Sequence, residues 1–321
     1  MAKKRKIAIY WLGSCGGCDE AIIDLNESLL ELASEVDIAL WPIAIDAKYA
    51  SIERLGDREL ALSIIHGNVR NSEHEEMAHL LRRKSQVVLA FGTCACFGGT
   101  SGLANFLKPN EIQNWVYGEA PTVVNRAKTR PQAETTVGGN HLTLPVLLDQ
   151  VHSLNQVIAV DYYLPGCPPP VDLIAQAVRA VIEGKLPPRG SFLAPHKALC
   201  DSCPRNSAKP PKIELTHIRR IHEVDEDSAT CFLARGVICL GPATRDGCGA
   251  TCLSINTPCS GCFGPVEGVD DSGAKFLSAL ASLIRAQSDS EVSGILDTIP
   301  DPAGCFYRFT QPSSILGRHR K

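Results

Sequence analysis

Two cysteines stand in a glycine-bearing turn near the head of the chain, in Tyr10-Trp11-Leu12-Gly13-Ser14-Cys15-Gly16-Gly17-Cys18-Asp19-Glu20. The apolar run before them, residues 6–12, reads as a buried parallel strand. Behind them Ile22, Leu25, Leu29, Leu32 and Val36 recur at helical spacing. A turn between such a strand and helix lies outside the carboxyl end of the strand, where open α/β sheets place their ligands. The helix start supplies N–H groups and a positive dipole end, which favour thiolate over thiol. Alone, the CxxC pair fits a redox dithiol, a zinc pair or part of an iron–sulfur site.

The same pattern recurs. Residues 37–45 read as a second strand, with Pro42 marking an edge or irregularity. Residues 60–66 read as a third strand. Ser72 and Glu75 fit a capping box for a helix through Met77, Leu80 and Leu81. A fourth strand, 86–91, ends in Gly92-Thr93-Cys94-Ala95-Cys96-Phe97-Gly98-Gly99. A fifth, 157–163, is closed by Leu164-Pro165-Gly166-Cys167-Pro168-Pro169-Pro170, and the helix 171–182 stops at Gly184. Repeated strand-turn-helix units predict a doubly wound, flavodoxin-like α/β domain with a parallel sheet over residues 1–190. Three of the five strands close in a cysteine-bearing loop. Parallel strands share one carboxyl edge, so Cys15, Cys18, Cys94 and Cys167 can converge, and four thiolates suit a cubane cluster. Residues 109–145 are turn-rich and longer than the ~12–15 residues usual for a structureless loop, which predicts an ordered excursion offering a contact surface.

Beyond residue 190 the character changes. Cys200, Cys203, Cys231, Cys239, Cys248, Cys252, Cys259 and Cys262 lie in a Pro- and Gly-rich stretch of weak periodicity. This predicts a loop-dominated domain over 191–321 with little apolar core, held by inorganic clusters. Helical spacing returns at Phe276, Leu277, Leu280 and Leu283. Cys200-x-x-Cys203 and Cys259-x-x-Cys262 have zinc spacing, so a zinc-stapled scaffold is the rival reading. Eight thiols downstream of a four-thiol site fit an electron relay better. A flavin at the first turn is opposed by its two cysteines and by Asp19 and Glu20. A lone dithiol leaves the other loop cysteines unexplained. Of the fourteen cysteines, Cys96 and Cys305 remain and read as small hydrophobes, although Cys96 stands two residues from Cys94 and an exchange of ligand is open. Glu20 reads either as a first-turn acid or as a proton-handling group beside the cluster. The nine histidines show no ligand spacing.

A hydrophobic content of 44% over 321 residues supplies a sizeable core, and a formal charge of -3 gives no case for nucleic acid or an anionic membrane. Met1-Ala2-Lys3-Lys4-Arg5-Lys6 resembles the start of a signal peptide, but Gly13 and Ser14 break the apolar run that follows. No run approaches the ~20 apolar residues of a membrane span. The expectation is a cytoplasmic protein, whose cysteines serve metal rather than disulfides.

Cys15-Gly-Gly-Cys18-Asp-Glu20, Gly92-Thr-Cys94-Ala-x-x-Gly98-Gly99 and Pro165-Gly-Cys167-Pro-Pro resemble the proximal-cluster motifs of nickel–iron hydrogenase small subunits. The likeness runs through the later cysteines. Within that family it is most similar to the cytosolic, methyl-viologen-reducing (deazaflavin-non-reducing) hydrogenases that work with heterodisulfide reductase. The resemblance implies three 4Fe–4S clusters: proximal on Cys15, Cys18, Cys94 and Cys167; distal on Cys200, Cys203, Cys231 and Cys239; medial on Cys248, Cys252, Cys259 and Cys262. It also implies a separate large subunit holding nickel and iron, a downstream iron–sulfur or flavin acceptor, and a catalytic proton role for Glu20. Better-known members carry His-x-x-Cys at the distal cluster and often three cysteines at the medial one; Cys200 and Cys252 depart from both. All-cysteine ligation lowers the potentials, which suits a low-potential acceptor.

Overall fold

The apolar runs become strands of one parallel sheet because each is covered by helices on both faces. The computed structural model describes residues 4–225 and 229–317, so Met1, Ala2 and Lys3 of the basic head lie outside it. In chain order the elements are β1 (Arg5–Trp11), α1 (Gly17–Ile23), α2 (Glu27–Glu35), β2 (Val36–Leu40), α3 (Tyr49–Glu53), β3 (Leu60–His66), β4 (Val69–Asn71) and α4 (Ser72–Lys84). There follow β5 (Ser85–Phe91), α5 (Gly92–Phe97), α6 (Pro109–Asn114), β6 (Glu134–Val137), β7 (Asn140–Thr143), β8 (Leu147–His152), β9 (Tyr162–Leu164) and α7 (Val171–Glu183). The C-terminal part adds α8 (Thr251–Ser254), α9 (Ser272–Leu283), α10 (Asp289–Leu296) and α11 (Pro302–Tyr307).

The main sheet runs β2-β1-β3-β5-β9, and every pairing is parallel. This is the predicted flavodoxin-like order, with its switch point between β1 and β3. Neighbouring residues face opposite layers: Ile65 and Val88 pack with Leu81 on one side, and Ile64 and Leu89 with Ile22 and Ile174 on the other. Among the described residues no helix is long and apolar enough to cross a membrane.

The structure corrects several expectations. The helix expected from Ile22 to Val36 is two helices, because Asn26 leaves helical geometry with a positive φ of 50°. Val36 belongs to β2. That strand ends at Leu40, since the Trp41 carbonyl accepts the N–H groups of Ala44 and Ile45 and turns the chain at Pro42. Ser72 is not the cap of α4. Pairing with β8 keeps the backbone extended through Asn71, whose side chain accepts the His74 N–H at 2.9 Å. The last strand is only Tyr162–Leu164, because the turn started by Ser153 and Gln156 continues as the Val157 and Ile158 N–H groups donate back to the Leu154 carbonyl.

The C-terminal part has more core than expected. Leu199, Phe232, Phe276, Leu280 and Phe306 pack together under α9 and α11. Their spacing carried no period because many come from short 3-10 turns, each burying a single side chain. Replacing Asn71 with Ala removes the α4 cap and costs about 1 kcal/mol of stability in chemical denaturation, whereas Ser72→Ala costs less.

Candidate metal centre

β1, β5 and β9 each run out at the same edge of the sheet into a cysteine-bearing loop, and β3 lies between the first two. Cys15, Cys18, Cys94 and Cys167 are brought together there. Burial raises the thiol pKa values of Cys18, Cys94 and Cys167, and the neighbouring cysteines of the group raise them further. Cys94 is pushed up to about 12. The helix start expected to favour thiolate is therefore outweighed: α1 has seven residues, and desolvation dominates.

Cross-links between the loops fix this arrangement. The Thr93 N–H donates to the Gly166 carbonyl at 2.8 Å, and the Gly166 N–H donates back to Thr93 Oγ1 at 3.2 Å, joining the second and third cysteine loops. From the tail of β3, Asn68 donates its amide to the Gly98 carbonyl at 2.8 Å while its backbone pairs with Gly13. His66 contacts Ser14 Oγ through Nδ1 at 3.1 Å. Glycines make room for sulfur. A Cβ on Gly92 would stand 2.5 Å from Cys18 Sγ, and one on Gly99 would stand 2.4 Å from Cys94 Sγ; both glycines have positive φ.

The two acids after Cys18 point in opposite directions. Glu20 is exposed on the first turn of α1, at the cysteine-bearing edge. Asp19 is 3% exposed and accepts the Trp41 Nε1–H at 2.9 Å. His66 Nε2 lies 3.1 Å from Asp19 Oδ1, yet off the line of a hydrogen bond, so that nitrogen and Asp19 Oδ2 are buried without a partner among the described residues. Trp41, His66, Asn68 and Thr93 were not singled out in the sequence, and Asp19 was weighed only as an acid opposing an anionic ligand. The one signal was the position of His66 and Asn68 at and just beyond the end of a strand that lacks its own cysteine loop.

The later cysteines gather in two further groups. Cys200, Cys203, Cys231 and Cys239 lie within electrostatic reach of one another; Cys200 is raised to about 12 and Cys239 to about 11, with burial the largest cause. Cys248, Cys252 and Cys262 lie near one another, with burial and then Cys248, Cys167 and Cys252 raising Cys262 to about 12, while Cys259 neighbours both Cys239 and Cys262. Arg205 ties the two. It is fully buried, stacks 4.3 Å from the Phe232 ring centre, and donates to the carbonyls of Thr230 and Leu253 and to the Asn256 side chain. The neighbouring sets touch: the Cys259 N–H donates to Cys239 Sγ at 3.3 Å, and Cys167 lies within electrostatic reach of Cys262. Thr93 Oγ1 also donates to the Cys262 carbonyl. Cys96 is buried with its thiol toward the Ala90 carbonyl at 3.4 Å, within electrostatic reach of Cys18 and Cys94, and Cys305 lies on α11.

The donor set fits iron–sulfur clusters. Every side chain in the three groups is a thiol, backbone N–H groups aim at the sulfurs, and glycines hold the loops clear of them. Among the described residues no three His, Cys, Asp or Glu side chains converge tightly enough for a single ion. Cluster thiolates sit on separate irons, farther apart than four ligands about 2.3 Å from one zinc.

Such a sheet with its cysteine-bearing edge defines a class: residues 15–181 match the family described as NADH ubiquinone oxidoreductase, 20 Kd subunit, and the chain belongs to it. Within that class it belongs with the small subunits of nickel–iron hydrogenases, and is thus an oxidoreductase subunit. The iron–sulfur subunit of the F420-non-reducing hydrogenase of Archaeoglobus profundus is 38% identical over 98% of both chains. The corresponding subunit of the F420-non-reducing hydrogenase of Methanothermobacter marburgensis is 37% identical over 98% of this chain and 97% of its own. Among solved structures, an NAD+-reducing [NiFe]-hydrogenase in the H2-reduced state is 28% identical, covering 58% of this chain and 94% of that one, with a TM-score of 0.49.

Replacing Gly92 with Ala forces a methyl group onto Cys18 Sγ and strains a left-handed backbone. The variant should fold with unchanged circular dichroism but lose about four irons per chain, one cluster's worth.

Proposed function

We propose that the chain relays electrons from dihydrogen oxidation on a nickel–iron large subunit through three 4Fe–4S clusters to a low-potential acceptor such as a heterodisulfide reductase complex. The observation that supports this reading is a chain of neighbouring cysteines running from Cys18, Cys94 and Cys167 through Cys262 and Cys259 to Cys239 and Cys200. On this reading residues 1–190 hold the proximal cluster on Cys15, Cys18, Cys94 and Cys167. Residues 191–321 hold the medial one on Cys248, Cys252, Cys259 and Cys262, and the distal one on Cys200, Cys203, Cys231 and Cys239. When bound, each cluster supplies a one-electron carrier.

The chain's own residues do the rest. Burial of Cys18, Cys239 and Cys259 excludes water from the sulfurs. N–H groups of Gly241 and Cys259 on Cys239, of Gly261 on Cys259, and of Ala250 on Cys248 stabilise negative charge there. Cys15 and Cys167 are exposed at the carboxyl edge, which makes that edge the face for the large subunit. Likeness to the F420-non-reducing relatives favours a low-potential acceptor other than the deazaflavin itself.

Anaerobically purified protein should contain about twelve irons and as many acid-labile sulfides per chain. Cys252→Pro should remove one iron and leave a three-iron cluster with a paramagnetic oxidised state. A colourless protein with stoichiometric zinc and no sulfide would overturn the relay reading.

Glu20 stands where the cluster edge meets the large subunit, and we assign it the exchange of protons released there. Glu20→Gln should keep the iron content and the large subunit, yet slow dihydrogen oxidation and hydrogen–deuterium exchange about a hundredfold, the lower end of general acid–base effects. Unchanged rates with intact clusters return Glu20 to a plain first-turn acid.

A further inference from the structure

Residues 106–150 run through the structure without one buried residue, and every residue from 126 to 147 is exposed. The segment is not shapeless. It holds α6, a π-turn at Trp115–Glu119 and the hairpin β6–β7. Its base is closed by a buried clasp, in which the Asn105 amide donates to the Val151 carbonyl at 2.9 Å and Asn105 Oδ1 accepts the Val151 N–H at 2.7 Å. It is therefore an arm with a fixed root. An exposed two-stranded hairpin is marginal in water by itself, so an arm of this length needs something to lie against.

Between its charged residues it exposes a set of large apolar side chains. Trp115 is 54% exposed, Val124 84%, Val137 61% and Val146 63%, with Val116 and Leu142 also open. A solvent-facing arm would carry charge at such positions. Its root adjoins the cluster edge on both sides. The chain enters through a 3-10 turn, Thr100–Phe106, directly after Gly99 of the Cys94 loop, and returns as β8 alongside β4, which continues from His66 and Asn68. The arm thus extends the same face that presents Cys15 and Cys167.

We propose that this arm is a clamp for the nickel–iron large subunit, continuing the cluster-edge interface outward through apolar contact. The inference rests on the assignment of the chain as a hydrogenase small subunit. Apolarity fits a permanent partner, since obligate interfaces resemble a domain core cut in half while transient redox contacts are small. A permanent clamp keeps the proximal site at one distance from the large subunit while other partners come and go at the distal end.

The test uses the heterodimer, made by co-expressing the chain with its large subunit. The exposed triple variant Trp115→Ser, Val137→Ser, Leu142→Ser removes apolar area without touching the core. It should keep its full iron and sulfide content and its circular dichroism, yet release the large subunit on dilution at a dissociation constant at least tenfold above the parent. Hydrogen exchange of residues 106–150 should slow in the parent heterodimer relative to the isolated chain. Parent-like affinity in the variant overturns the clamp, as does protection that appears only when two heterodimers or an acceptor protein associate. Failure of the parent chain to capture any nickel-bearing subunit instead overturns the hydrogenase assignment beneath it.

Discussion

The cluster edge depends on the tail of its central strand. β3 brings no cysteine, yet His66 and Asn68 reach sideways to the loops of Cys15 and Cys94, and Thr93 and Gly166 close the circuit to Cys167. Each contact is worth about 1 kcal/mol net. Their shared effect is to set the spacing of three loops before any metal arrives. That spacing matters because buried thiols hold their protons tightly and repel one another once charged, so metal binding must release the protons and supply the compensating charge. A scaffold that held the sulfurs loosely would let them splay apart. The positive-φ glycines Gly92 and Gly99 permit the opposite, close approach.

The C-terminal part solves the same problem without a sheet. Its cysteine loops hang from 3-10 turns and short helices around a core of Phe232, Phe276, Leu280 and Phe306. Arg205 replaces the ladder of a strand, with one guanidinium serving carbonyls next to Cys231 and Cys252. A delocalised cation stacked on an aromatic ring suits this place, since its several fixed donors can satisfy separate loops at once.

The strands, their parallel order and the meeting of Cys15, Cys18, Cys94 and Cys167 were legible because unbroken apolar runs ending in Gly and Pro say where a buried strand stops. What the sequence concealed depended on the phase of short elements. Asp19 and Glu20 are neighbours of equal charge; only the pitch of the seven-residue α1 sends the first to Trp41 and the second to solvent. The break at Asn26, and the cap at Asn71 instead of Ser72, arose from tertiary pairing that local propensity does not contain. The C-terminal core escaped notice because no periodicity links side chains contributed one per turn. Residues 109–145 read as a contact surface, and the structure adds that none of residues 106–150 is fully buried among the described residues.

The loop after Cys94 leans on residues from the far end of the chain. Pro312 fills the space over Gly98 and Gly102, the Phe309 carbonyl accepts the Gly99 N–H at 3.2 Å, and the Gln156 amide reaches the Pro312 carbonyl across 156 positions. This buttress does not exist while the ribosome is still making the middle of the protein. The first cysteines to be translated therefore wait for some of the last residues, and a prematurely terminated product carries all four of them without the wedge that braces their loop. Synthesis order and site completion run in opposite directions: a loop made early gains its brace only once residues 309–312 have emerged.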